Sequence, residues 1–96
     1  MLFAGEKNLF RIADRLRFKR IAAGAYSVTV DGHPFGRVER RHVATRRRGA
    51  TRWIGVDSKG RDVPDSDTTN RRAAARALVV LVLAAERGIS KGWPGA

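Results

Sequence analysis

The spacing of apolar residues predicts a helix near the start of the chain. Four apolar residues recur there at helical intervals: Leu9, Ile12, Ala13 and Leu16. Most positions between them are polar or charged, which is typical of a helix with one buried face. Asn8 is suited to cap the first turn. We therefore expect a short helix over residues 6–17.

From residue 25 onward the period changes from that of a helix to that of a strand. Residues 25–30 alternate apolar and polar side chains, which predicts a first strand. The Asp-Gly pair in residues 31–34 favours a hairpin turn. Two further strands are expected over residues 35–43 and 52–57, with an arginine-rich connection between them.

The last clear element is a long helix over residues 70–87. Thr68 or Thr69 is expected to cap this helix, and Gly88 is expected to end it. Residues 77–85 are apolar almost all round the helix, so it must be buried on more than one side.

These elements predict an α+β fold, in which the long C-terminal helix packs on one face of a three-stranded antiparallel meander. The 96 residues suffice for a single domain, residues 1–96. Its sheet-plus-helix core is expected over residues 25–88. An N-terminal helical segment precedes the core over residues 1–24, and a tail follows it over residues 89–96.

The second side of the long helix needs a cover, and two alternatives remain open. The N-terminal helix could pack there within one chain. A second copy of the protein could pack there instead, and the resulting homodimer would form through Val79, Val80 and Leu83.

Charge narrows the classes of partner. The chain has 20 Lys and Arg residues against 9 Asp and Glu, a net charge of +11. A balance of this kind favours nucleic acid, an anionic membrane surface or an acidic protein as partner. Arginine, the more frequent cation here, suits bidentate contacts to phosphate and guanine. Codon usage in a GC-rich genome is an alternative cause of the arginine excess, although it does not explain the net charge.

The basic residues concentrate in the predicted sheet, and the run ERRHVATRRRGATRW over residues 39–53 is the densest part. If Val28, Val38, Ile54 and Val56 form the core face, the open face carries Arg37, Arg41 and Trp53. Arginine beside an aromatic ring suits contact with phosphates and bases. The alternative is that Trp53 is a core residue and the arginines are merely solvated.

The remaining candidate contacts surround this face. Arg46, Arg47 and Arg48 are expected at the hairpin tip, where they would neutralise phosphates. The patch would be extended by four further cations: Lys19, Arg20, Arg40 and Arg52.

A second candidate anion site is the start of the long helix, formed by Thr69, Arg71 and Arg72. Cations in the first turn oppose the helix dipole, so a phosphate bound there would explain them. The alternative is that Asp65 and Asp67, just upstream, neutralise these arginines.

Other kinds of chemistry find little support. The chain has no cysteine, the aspartates of residues 57–67 lack the pattern of a calcium loop, and His33 and His42 are too few for a zinc site. We expect no metal, no cofactor and no enzymatic activity. The start of the chain lacks the pattern of a signal peptide, and no apolar run is long enough to cross a bilayer. A cytoplasmic protein without membrane contact is therefore expected.

The run WIGVDSKGRD…TTNRRAAARAL resembles the second half of the small DNA-binding domains at the N-terminus of tyrosine recombinases. Trp53, Gly60, Thr69 and residues 73–75 stand where that pattern has a strand aromatic, a turn glycine, a helix cap and the first packing turn. The resemblance covers residues 25–87 and implies a three-stranded sheet that lies in the major groove of DNA. In style, the chain also resembles small proteins of phages and mobile elements.

Two functions are predicted at this point. The first is nucleic-acid binding, with double-stranded DNA favoured over RNA, through the basic sheet face and the arginine-rich hairpin. The second is that of a small phage-type regulator that binds an acidic host protein through the apolar face of the long helix or through the tail at Trp93 and Pro94.

Overall fold

A four-stranded antiparallel sheet with two helices on one face makes up the fold. The computed structural model describes residues 3, 5–43, 50–64 and 66–88. The elements, in chain order, are α1 (Leu9–Ala13), β1 (Leu16–Ala22), β2 (Ala25–Val30), β3 (His33–Val43), β4 (Ala50–Asp57) and α2 (Arg71–Glu86). The strands lie in the order β1-β2-β3-β4. The predicted α+β class and the meander are confirmed, but the sheet has four strands rather than three.

The additional strand is β1, in a segment where the helical pattern predicted the end of the first helix. Asn8 caps α1 as expected, with its side-chain oxygen accepting from the backbone N–H groups of Phe10 and Arg11. The helix ends after a single turn, and the chain then pairs with β2, Leu16 opposite Val30. Leu16 is buried, as its apolar spacing predicted, but as a strand residue.

A bulge in β3 sets which residues reach the core. Gly36 has a backbone φ of +135°, and a Cβ added there would overlap the Val56 carbonyl oxygen. The register of β2 and β3 shifts beside it. Because of this shift, Phe35 and Val38 are both buried in the core although their positions differ in parity.

The core lies between α2 and the sheet, and α1 closes its other side. Leu9, Ile12 and Ala13 of α1 belong to the same buried cluster as the apolar face of α2. The second side of α2 is therefore covered by α1 within one chain, which is the intramolecular alternative. Val79, Val80 and Leu83 are 0%, 5% and 0% exposed, so the side chains assigned to a homodimer are already enclosed within one chain. The reason is that α1, although short, places three apolar side chains on them.

The cap of α2 differs from the prediction by one or two residues. The side-chain oxygen of Asn70, rather than that of Thr68 or Thr69, accepts from the backbone N–H of Ala73. Gly88 has a φ of +76° just past the C-cap residue Arg87, as expected for a helix-ending glycine.

The segment between β4 and α2 runs back along the outer edge of β4. Trp53 and Thr68 exchange backbone hydrogen bonds of 2.6 and 2.9 Å. The buried hydroxyl of Ser66 accepts from the Gly55 N–H and donates to the Val63 carbonyl oxygen. These contacts cover the β4 edge, whereas the outer edge of β1 has no strand partner among the described residues.

Two segments that carry predictions lie outside the described residues. They are residues 44–49, with Arg46, Arg47 and Arg48, and the tail from residue 89, with Trp93 and Pro94. Among the helices that the structure describes, none is long and apolar enough to cross a membrane.

Candidate nucleic-acid interface

The strand register assigns each candidate side chain to one of two sheet faces. Paired residues of adjacent antiparallel strands lie on the same face. The helix-side face, against which α2 packs, includes Arg20, Tyr26, Val38, Arg40 and Trp53. The open face, turned away from α2, carries Arg17, Lys19, Ser27, Arg37, Glu39, Arg41, Arg52, Ile54 and Val56. Val56 is 0% exposed, so this face is covered at that position of β4.

Trp53 lies on the helix-side face, so the expected open-face position is wrong and the core alternative is right. Its ring packs half-buried against the core, with its centroid 6.0 Å from that of Tyr26. The phase of β4 is set by Gly55, where a Cβ would come within 3.0 Å of the Leu78 side chain. Because α2 approaches so closely, the small residue faces the helix, and Ile54 and Val56 face away from it.

Arg37 and Arg41 lie on the open face, where they were expected, but both are engaged by acids. The Arg37 Nε donates to Glu39 Oε2. The Arg41 guanidinium donates to Glu39 Oε1 at 3.0 Å and to both carboxylate oxygens of Asp62, at 2.6 and 2.9 Å. Arg52, farther along the same face, pairs with Asp67 at 3.3 Å. Part of the positive charge of β3 and β4 is thus neutralised within the chain.

These ion pairs shift the acids toward their charged forms. The hydrogen bond from Arg37 is the main cause that holds the pKa of Glu39 below its ordinary value, against the opposing effect of partial burial. The hydrogen bond from Arg41 likewise lowers the pKa of Asp62. Near neutral pH both carboxylates are therefore ionised.

A second group of basic residues has no such acids. We call Arg17, Lys19, Arg20 and Arg40 the unpaired cations. All four are exposed and have no ion-pair partner among the described residues. No Asp or Glu occurs in residues 15–30, which include β1 and β2. The Arg40 side chain lies across Gly24 at the β1–β2 turn. Its Nε is 3.5 Å from the position that a Cβ would occupy if Gly24 were replaced by another residue.

The start of α2 has internal partners for its arginines. The Arg71 guanidinium lies over the rings of Phe18 and Tyr26, 4.7 and 4.3 Å from their centroids. Arg72 donates to the backbone oxygen of Asp14 at 3.1 Å. Asp67 pairs with Arg52 instead, and Asp65 lies outside the described residues. Neither a bound anion nor these aspartates are needed to explain Arg71 and Arg72.

Lys19, Arg20 and Arg40 were expected to extend the open-face patch, but only Lys19 lies on that face. Arg20 and Arg40 lie on the helix-side face, because they pair with Tyr26 and Trp53. Sequence reasoning did not single out Arg17. The alternation of apolar and basic residues in LRFKR is a strand pattern that would have indicated Arg17 as a candidate. It was overlooked because that segment was interpreted as part of a helix. Arg46, Arg47 and Arg48 connect β3 to β4 in sequence and lie outside the described residues.

Two other observations on the described residues concern metal ligands and surface depressions. The described residues contain no group of three or more metal-ligating side chains. A shallow depression of about 350 Å³ is lined by Glu6, Arg11, Asp14 and Arg15, none of which was predicted as a contact. No protein-family model, curated protein or solved structure matches the chain.

Proposed function

We propose that the chain binds nucleic acid, with double-stranded DNA as the favoured partner, through the unpaired cations and the open face of the sheet. The observation that carries the proposal is the uneven pairing of charge. Acids pair with Arg37, Arg41 and Arg52, whereas Arg17, Lys19, Arg20 and Arg40 are exposed and have no ion-pair partner among the described residues.

Exposed cations without partners repel one another, so their concentration opposes folding unless an anionic partner is bound. Arg17, Lys19 and Arg20 stand within four consecutive positions of one strand. A polyanion relieves this repulsion and gains entropy because bound counterions are released from the nucleic acid. The spacing of charges along a strand edge suits a linear array of phosphates better than a single small anion.

Duplex DNA is favoured over duplex RNA because of the shape of the binding surface. A sheet face is broad, and the wide major groove of B-form DNA admits two-stranded β structure. The major groove of A-form RNA is too narrow and deep for side chains to read.

The test is fluorescence anisotropy of a labelled random-sequence duplex, measured at several salt concentrations. If six to eight phosphates are contacted, log K falls with log salt with a slope of about −5 to −7. The variant Lys19→Ala/Arg20→Ala/Arg40→Ala should bind about tenfold or more weakly, and its slope should be shallower by about 1 per lost contact.

A matched control removes the same charge elsewhere. Lys7, Arg11 and Lys59 are exposed, lie away from the sheet faces and also lack an ion-pair partner within the part of the chain that the structure describes. The variant Lys7→Ala/Arg11→Ala/Lys59→Ala should keep most of the affinity. Equal losses in the two triple variants would show that only net charge matters, and a flat salt response of the wild type would refute the proposal. Arg46→Ala/Arg47→Ala/Arg48→Ala tests the β3–β4 connection in the same assay.

The alternative of an acidic protein partner receives less support. The helix face on which it depended is buried within the chain. Its other anchor, the tail at Trp93 and Pro94, lies outside the described residues and stays a prediction.

A further inference from the structure

On the open face of β3, one nitrogen of the Arg37 guanidinium is hydrogen-bonded within the described part of the chain, and the other two are not. Its Nε donates to Glu39, and its terminal nitrogens have no hydrogen-bond partner among the described residues. The side chain is 38% exposed. It is therefore a guanidinium held in place with its two-pronged end available to a ligand.

The neighbouring arginines of this face differ in that respect. Both terminal nitrogens of Arg41 donate to carboxylates, those of Asp62 and Glu39. Arg52 is tied to Asp67 through a terminal nitrogen. Glu39 thus orients Arg37 through its Nε and does not engage its terminal nitrogens, whereas both terminal nitrogens of Arg41 are engaged by Asp62.

The position of Arg37 in the sheet distinguishes bases from phosphates as its target. Arg37 is paired laterally with Ser27 of β2 and Val56 of β4, so it lies in the interior of the sheet. If the open face lies along a groove, interior strands face the base edges and outer strands face the two backbones. Neighbouring strands are about 4.8 Å apart, so β2 and β3 together fit a major groove about 12 Å wide.

We propose that Arg37, positioned by Glu39, reads a guanine in the major groove by donating from its two terminal nitrogens to O6 and N7. This inference rests on the proposed function and gives it sequence preference. The planar fork matches the two acceptors on one edge of guanine, a pair that no other base presents in that groove. Arg17 and Lys19, the unpaired cations that lie on the open face of the outer strand β1, would supply contacts to phosphates, which carry no sequence information.

The experiment selects bound sequences from a randomised duplex library with the full chain, and then measures Kd by anisotropy. The wild type should enrich a site with a fixed guanine. Replacing that G·C pair by A·T should weaken binding about 5- to 150-fold, the equivalent of ~1–3 kcal/mol. Replacing the guanine by 7-deazaguanine, which lacks only the N7 acceptor, should weaken wild-type binding as well, without any change to the protein.

Three variants separate the roles of the side chains. Arg37→Lys keeps the charge but loses the fork, so the ratio of the two Kd values should fall to about twofold or less. Glu39→Gln should lower that ratio partly while the same guanine is still selected, as expected of a positioning residue. Arg11→Lys, an identical exchange away from the sheet, should leave the ratio unchanged.

Several results would overturn the inference. Wild-type binding without an enriched guanine would exclude base reading while leaving the proposed function intact. Enrichment of the same guanine by Arg37→Ala, with an unchanged ratio, would assign the reading to another residue. A lower salt slope in Arg37→Ala with unchanged base preference would show that Arg37 contacts a phosphate. If no duplex binds the wild type at any salt concentration, the proposed function itself fails, and the inference fails with it.

Discussion

Glu39 illustrates how one side chain links stability to the open face of the sheet. It is 24% exposed and accepts from two arginines, so its carboxylate is better satisfied in the folded chain than in water alone. Its pKa is therefore lower in the folded state than its ordinary value of 4.5. A group of this kind stabilises the fold above its unfolded pKa, and this contribution is lost as the pH falls through its folded pKa.

We predict that Glu39→Gln flattens the acid side of the stability profile. For the wild type, the free energy of unfolding should be nearly constant above about pH 5 and should fall at lower pH, because the unfolded chain then binds more protons than the folded chain. In Glu39→Gln this fall should be smaller, since one group with a lowered pKa is gone. Urea denaturation at a series of pH values measures the difference.

Two further variants test whether the ion pairs of Glu39 cause this change in the pH profile of stability. Arg37→Gln removes the main cause of the lowered pKa of Glu39, so it should flatten the same part of the profile. Lys7→Gln removes a cation outside the network and should leave the shape of the profile as in the wild type. A profile of Glu39→Gln parallel to that of the wild type would mean that the Glu39 ion pairs contribute nothing measurable, as many exposed pairs do.

At the level of elements, the cap of α2 offers the sharpest comparison between sequence and structure. Thr69 and Asn70 both suit an N-cap by residue type, but Asn70 accepts from the Ala73 N–H at 3.0 Å. We predict that Asn70→Ala lowers the free energy of unfolding by about 0.5–2 kcal/mol, because a backbone donor of the first turn is left unpaired. Chemical denaturation at neutral pH gives the value.

The matched control is Thr69→Ala. Thr69 is exposed, and its side chain makes no hydrogen bond within the described residues, so its loss should change stability by about 0.5 kcal/mol or less. The reverse order of the two effects would show that the helix starts one residue earlier in solution, with Thr69 as its cap.

How far each element was predictable depends on whether local pattern or tertiary pairing decides it. The long helix has a cap signal, an apolar run and a closing glycine, and all three are local, so α2 was predicted nearly in full. Strand β1 was missed because Leu16 continues the helical spacing of α1. Only pairing with β2 decides that the chain becomes extended there.

The site follows the same rule. Arg37 and Arg41 were placed on the open face correctly because alternation within β3 past its bulge is local. Trp53 was placed on the wrong face because the phase of β4 depends on where α2 approaches, and that contact, between Gly55 and Leu78, is not visible in the spacing. The ion pairs of Arg41 with Asp62 and of Arg52 with Asp67 join residues 21 and 15 positions apart, so no local sequence motif could predict them.

At the scale of the whole molecule, the net charge of +11 opposes the compact state. Six arginines form ion pairs with acids among the described residues: Arg15, Arg37, Arg41, Arg52, Arg61 and Arg76. Most of the remaining basic residues have no acid to balance them. Repulsion among them should therefore outweigh the attraction within the pairs, each of which is exposed enough to contribute only about 0–1 kcal/mol.

This balance predicts that salt stabilises the protein. Raising sodium chloride from about 20 to 500 mM shortens the screening length from over 20 Å to about 4 Å, so it removes long-range repulsion before it weakens pairs in direct contact. The melting temperature should rise by several degrees, measured by circular dichroism at fixed pH.

In Lys7→Ala/Arg11→Ala/Lys59→Ala, which has three fewer cations and loses no ion pair among the described residues, the rise should be smaller. In Arg41→Ala the rise in melting temperature, compared per cation removed, should be larger than in that triple variant. The reason is that Arg41→Ala loses an attraction that salt weakens. A melting temperature that falls with salt would mean that the ion pairs of the open face, rather than the unpaired cations, dominate the electrostatics of the fold.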